Sequence, residues 1–120
     1  MAKMIADSVL DAALDVIATA TEMYICTSEP ATRAAAITAS LIGAVTLDSG
    51  DFAKADGTSG RKVTIAQQAS IAITSSGDAT HVALCTASTL LLVTTCTTQT
   101  LTSGGTVTVP EFIDQIADPT

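Results

Sequence analysis

The stretch Arg61–Val109, RKVTIAQQASIAITSSGDATHVALCTASTLLLVTTCTTQTLTSGGTVTV, decides how the chain folds. It predicts a run of short strands at Lys62–Ala66, Ser70–Thr74, Thr80–Cys85 and Thr89–Thr95. A Thr-rich run then continues to Leu101, and a last piece lies at Thr106–Val109. Between them stand Gln67-Gln68, Ser75-Ser76-Gly77-Asp78, Thr86-Ala87-Ser88 and Ser103-Gly104-Gly105. Short strands separated by small polar turns at roughly ten-residue spacing predict an antiparallel β sandwich or a jelly-roll-like barrel. Nothing in the stretch has the pattern of a catalytic centre.

Working outward, the 120 residues predict one domain with a real but modest core. Nearly half the side chains are apolar (48%), yet only Tyr24, Phe52 and Phe112 are aromatic, so the core must be built from Ala, Val, Ile and Leu. Burial of one of the larger aliphatics contributes roughly 1.5–3 kcal/mol and of Ala much less. Association that buries more surface would therefore add useful stability.

The net charge is −7, and every Lys and Arg lies at or before Lys62. Nucleic-acid binding requires clustered cations to displace counterions, so no nucleic-acid partner is expected. Anionic membrane surfaces are disfavoured for the same reason. No apolar run approaches the roughly 20 residues needed to span a bilayer. Asp7, Asp11 and Asp15 interrupt what a signal peptide would keep uncharged, so synthesis and folding in a cytoplasm are expected.

Residues from about Met4 to Ala20 predict the only long helix. Ile5, Val9, Ala12, Ala13, Val16 and Ile17 recur at three- and four-residue steps, and Leu10 and Leu14 widen the apolar arc. That arc covers about half the circumference, more than one contact face requires. It suits contact with both the chain's own sheet and a neighbouring subunit. Asp7, Asp11 and Asp15 fall opposite and read as a solvated face, or as a docking face for a basic partner.

Glu22–Thr27 alternates as a first strand, with Met23 and Ile25 on one side and Tyr24 and Cys26 on the other. Ser28-Glu29-Pro30 breaks it and starts a short helix over Ala31–Thr38, with Ser28 or Glu29 as its cap. Ser40–Leu47 predicts another strand, with Gly43 as a bulge. Asp48–Gly60 reads as a long loop that Phe52 pins to the domain or to a neighbour. Its Asp48, Asp51 and Asp56 lack EF-hand spacing. From Pro110 onward, Phe112, Ile113 and Ile116 either add an edge strand or leave as an arm that packs on another subunit.

Catalytic patterns are missing from the sequence. His81 and Cys85 share a strand face but lie roughly 13 Å apart, too far for a dyad. No pair has zinc-ligand spacing, and Gly104-Gly105 is a turn signal. The expectation is a protein without enzymatic activity, metal or cofactor. Cys26, Cys85 and Cys96 read either as buried thiols acting as small apolar groups or as inter-subunit disulfide formers in an oxidising medium.

Five segments carry a family likeness. They are Asp7-Ser8-Val9-Leu10-Asp11-Ala12-Ala13-Leu14, Cys26-Thr27-Ser28-Glu29-Pro30 and Ser59-Gly60-Arg61-Lys62-Val63-Thr64-Ile65. The others are Gly77-Asp78-Ala79-Thr80-His81-Val82-Ala83-Leu84 and Phe112-Ile113-Asp114-Gln115-Ile116-Ala117-Asp118-Pro119. In their order along nearly the whole chain they resemble a family of small virion proteins of tailed bacteriophages. The resemblance implies a β-rich, non-enzymatic subunit that decorates the head or rings the neck as a collar. It would be located on the virion and partnered by copies of itself and by capsid or connector proteins. The helix, the Asp48–Gly60 loop and the C-terminal segment are the expected contact surfaces. Ile5, Val9, Leu10, Leu14 and Ile17 would act from the helix, Phe52 from the loop, and Phe112 and Ile116 from the end. The alternative reading is a host-surface binding module of a fibre or adhesin, which would normally show exposed aromatics.

Overall fold

A computed structural model describes residues 6–38, 40–58 and 60–117. The chain is mainly β, and every strand pairing is antiparallel. Its elements run α1 (Asp7–Ile17), β1 (Glu22–Cys26), α2 (Arg33–Ile37), β2 (Leu41–Thr46), a 3₁₀ turn (Ser49–Asp51) and β3 (Phe52–Asp56). They continue with β4 (Arg61–Ile65), β5 (Gln68–Ala72), β6 (Gly77–Cys85), β7 (Leu90–Leu101), β8 (Thr106–Val109) and β9 (Phe112–Ile116). The main sheet has the order β2-β1-β6-β7; β3-β4-β9 and β5-β8 form two smaller sheets. Of the two architectures expected, this is the layered one: the sheets are open.

The alternation of β1 builds the layers. Met23 and Ile25 enter a core with Val82 and Leu84 of β6, Ile42 of β2, Val63 and Ile65 of β4, and Ile71 and Ile73 around β5. Tyr24 and Cys26 enter a second, smaller cluster with Ala83, Cys85 and Ala36. Successive strand residues point to opposite faces, so a five-residue strand with no exposed residue must be covered on both sides. Here α2 covers the second side. Thr32 caps that helix by accepting from the Ala35 N–H at 3.1 Å, and Arg33 Nε donates to the Thr86 carbonyl at 2.8 Å. The expected caps, Ser28 and Glu29, lie too far upstream because the helix begins later than Pro30 suggests.

The β6–β7 hairpin turns where expected, with Cys85 opposite Leu90 and the Thr86 N–H donating to the Thr89 carbonyl. The Thr-rich run then continues β7 without a break to Leu101. One irregularity lies within it. Ala79 pairs with Gln99 and His81 with Thr95, so Cys96–Thr98 bulge opposite Thr80 alone. Gly43 sits beside the bulge in β2, and a Cβ there would lie 2.7 Å from the Ala72 carbonyl oxygen. Only glycine allows the approach that joins β2 to Ile73.

The Asp48–Gly60 segment is not a loop. Asp48 caps the 3₁₀ turn in a reciprocal capping box with Asp51, and β3 comes next, paired residue for residue with β4. Four of its five residues are exposed on both faces, so the strand has no burial pattern for periodicity to detect. The C-terminal segment likewise is not an arm: β9 pairs with β4 from Phe112 opposite Ile65 to Ile116 opposite Arg61.

Candidate functional site

Two surfaces are the strongest candidates for acting on other molecules: the outer side of α1 and the free end of the main sheet. Helix α1 has no side-chain N-cap hydrogen bond, so its stability rests on packing. Leu10 and Leu14 are buried at 3% and 0% exposure, with Ile17 half-buried against the same core. This corrects the expectation that Leu10 and Leu14 face a neighbouring subunit: they hold the helix on its own sheets. The opposite stripe, Val9, Ala12, Ala13 and Val16, is exposed, with Val9 at 58% and Val16 at 55%. Ile5, expected to join that stripe, lies outside the described residues.

The acidic row is largely solvated, as expected, with Asp7 and Asp15 exposed, but two of its carboxylates are also tied to the chain's own cations. Asp11 accepts from Arg61 Nε at 2.8 Å, Asp15 pairs with Lys54 Nζ at 2.6 Å, and Arg61 also reaches Asp56 at 2.7 Å. The sequence hides this because Lys54 and Arg61 stand on strands β3 and β4, far along the chain. The Arg61 hydrogen bond is the main cause that holds the Asp11 carboxyl below its usual value. The same contacts raise the guanidinium, first through Asp11 and then through Asp56.

The remaining expected contact residues are partly withdrawn. Phe52, Phe112 and Ile116 are half-buried against the main core, whereas their neighbour Ile113 points outward at 52% exposure. On β9 the alternation places 112, 114 and 116 inward and 113 and 115 outward. Ile113, not Phe112 or Ile116, is therefore the exposed apolar residue of this strand. Phe52 pins β3 to its own core.

The thiols divide in the same way. Cys26 and Cys85 are fully buried in the cluster under α2. Burial is the first cause that pushes the Cys26 thiol up to about 11, and it also raises Cys85. Neither can reach a second subunit without unfolding, which removes both from the expected inter-subunit disulfides. Cys96 is half-buried within the β7 bulge and lines a cavity of about 480 Å³, and burial raises its thiol too. Tyr24 is buried beside them and donates to Glu22 Oε2 at 2.5 Å. Burial first, and that bond second, raise its hydroxyl to about 12.

The cavity lies between β7 and the chain passing from β8 to β9. Ile25, Val82 and Ala79 form its floor, Thr94–Thr97 and Gln99 one wall, and Val107–Pro110 with Phe112 the other. Along that wall β7 is the end strand of its sheet. Among the described residues its backbone pairs with β6 and with no other element. The cavity and the free edge have no signature in the sequence, because strand order is not written in a single strand's pattern.

Asp48 and Asp51 spend their oxygens on the Gly50 and Asp48 N–H groups and on Gln68, and Asp56 accepts from Arg61. Thr80 Oγ1 lies 2.8 Å from His81 Nδ1, which gives the one histidine a local partner. No helix among the described residues is long and apolar enough to cross a membrane. The class that fold and surfaces define is an antiparallel, layered, mainly β protein with apolar surface on a terminal helix and an open sheet end. Comparison with protein-family models, curated proteins and solved structures finds no match.

Proposed function

We propose that the chain is a non-enzymatic structural protein of a tailed-phage virion, where it assembles in symmetric copies as a capsid decoration or a neck or collar subunit. The observation that carries this reading is the outer stripe of α1. Val9 and Val16 stand more than half exposed on a helix whose opposite side is core. Exposed aliphatics aligned on one helix face lower the free energy of the particle when a neighbour covers them. The resemblance of the chain's segments to small virion proteins supplies the setting.

The mechanism is mechanical. Each added subunit buries apolar surface against its neighbours, and a contact of ordinary size buries on the order of 1,600 Å². Repetition around a ring or lattice makes each further contact intramolecular and so multiplies the effect through avidity. Val9, Val16 and Ile113 replace the buried Leu10 and Leu14 as the residues assigned to such contacts. Capsid or connector proteins and further copies of the chain are the partners.

Mass spectrometry of purified particles under non-reducing conditions tests the reading. The chain should be present at a copy number matching a symmetry of the head or neck, and Val9→Asp should lower its incorporation without lowering its melting temperature. A chain absent from particles, or one that turns over a substrate, would refute it.

A further inference from the structure

We infer that two copies of this chain pair through the free edge of β7, antiparallel about a two-fold axis, over Thr94–Thr100. The inference deepens the assembly reading above by naming the surface through which like copies meet. Three observations carry it.

The first is backbone supply. β7 is the longest strand of the fold and the end strand of the main sheet, so one side of its ladder has no partner among the described residues. The bulge adds to the shortfall: three residues, Cys96–Thr98, oppose Thr80 alone, so β6 cannot match all their N–H and C=O groups. Thr95 and Thr97–Thr100 are exposed. A second β-strand is the partner whose groups recur at the right spacing.

The second is charge, which selects the occupant. No charged side chain lies between Asp78 and Glu111, in a chain whose net charge is −7. Like copies repel through most of their surface, whereas β7 itself carries no carboxylate, and the one beside its pairing stretch, Asp78 on β6, accepts from Thr100 Oγ1 at 2.8 Å. A basic foreign strand would find no countercharge on the edge itself. Soluble proteins blunt an open edge with Lys, Pro, inward charge or a bulge, and β7 has only its two register shifts, at Cys96–Thr98 and at Leu91. Self-pairing centred on Thr97 also sets Thr97 against Thr97 and Thr94 against Thr100, favourable cross-strand pairs. An antiparallel two-fold contact is isologous and closes at two copies.

The third is space. The cavity of about 480 Å³ opens beside Thr94–Thr97 and Gln99, with an apolar floor of Ile25, Ala79 and Val82. A strand added to β7 sends every second side chain toward this side of the sheet, where the cavity receives it.

Sedimentation equilibrium of the full chain in reducing buffer, over a wide concentration range, tests the pairing without any contribution from a Cys96 disulfide. The wild type should reach a reversible dimer. Thr97→Lys and Thr95→Lys, both at exposed positions, should weaken it about tenfold or more, with unchanged circular dichroism. Val9→Asp should leave it intact. A wild type that stays monomeric, a dimer indifferent to both lysines, or one lost in Val9→Asp would overturn the inference. So would a monomer whose β7 amides become protected only when particle extract is added, which would assign the edge to a foreign strand. Loss of edge pairing leaves the virion reading to its particle test, and absence from particles leaves the pairing standing.

Discussion

At the β2 end of the main sheet, the Ile42 carbonyl accepts from the Thr74 and Ser75 N–H groups at 2.8 and 3.2 Å, and Gly43 meets Ile73. At the β7 end, a longer strand is paired to β6 along its length and, among the described residues, makes no backbone hydrogen bond on its other side. The two ends belong to one sheet and share one core, so the difference lies in how a later segment of the chain meets each edge strand. The segment Ile71–Thr74 returns to seal β2. The corresponding segment near β7, from β8 to β9, stands off and encloses a cavity. A fold that closes one end of a sheet by backbone hydrogen bonds and leaves the other unpaired has a directional surface, and a subunit that adds to its own kind needs one.

The largest expected effect comes from loosening the shoring at the open end. Helix α1 touches β4 and the flank of β7, and Leu14 is its fully buried contact. Leu14→Ala should cost about 3 kcal/mol in urea unfolding, and the outer stripe of the helix should be lost with it. At the closed end, Gly43→Ala forces a Cβ to 2.7 Å from the Ala72 carbonyl. The clash should cost about 2 kcal/mol and detach β5 from β2, read as faster hydrogen exchange at Thr74 and Ser75.

Acid provides a graded perturbation of the α1 support. The folded carboxyl of Asp11 titrates below its unfolded value because Arg61 donates to it. Its contribution is therefore fully present above the ordinary carboxylate range and is lost as pH falls through the depressed value. Thermal melts should show stability falling below about pH 4, and Asp11→Asn should flatten that part of the profile. A profile unchanged by the substitution would mean that the ion pair does not hold the helix. The smallest effect belongs to the free edge itself. Thr97→Lys should change monomer stability by no more than about 0.5 kcal/mol, since the side chain is exposed and only association should respond.

Much of this architecture is legible in the sequence where burial imposes a period. Met23 and Ile25 against Tyr24 and Cys26 announce a two-faced strand, and the Thr86–Thr89 turn fixes the register of Cys85 on Leu90. Thr106–Val109 has the bounds expected. The elements that escape lack a periodic signature. Strand β3 is exposed on both faces and exists because β4 offers it a ladder. The Asp row is solvated as its pattern suggests, but the ion pairs of Asp11 and Asp15 are hidden because their cations stand on other strands. Leu10 and Leu14 share an unusually wide apolar arc with Val9 and Val16, and only the packed structure assigns one side to the core and the other to solvent. The free edge of β7 depends on strand order, which no single strand encodes.

Hydrogen exchange at the two sheet ends, compared at low and high protein concentration in reducing buffer, tests the central claim most directly. Amides of Thr94–Thr100 should exchange more slowly as concentration rises, while those of Leu41–Thr46 and of α1 stay unchanged. Exchange at Thr94–Thr100 that is independent of concentration would contradict the edge pairing, and protection appearing on α1 instead would assign the contact between like copies to the helix.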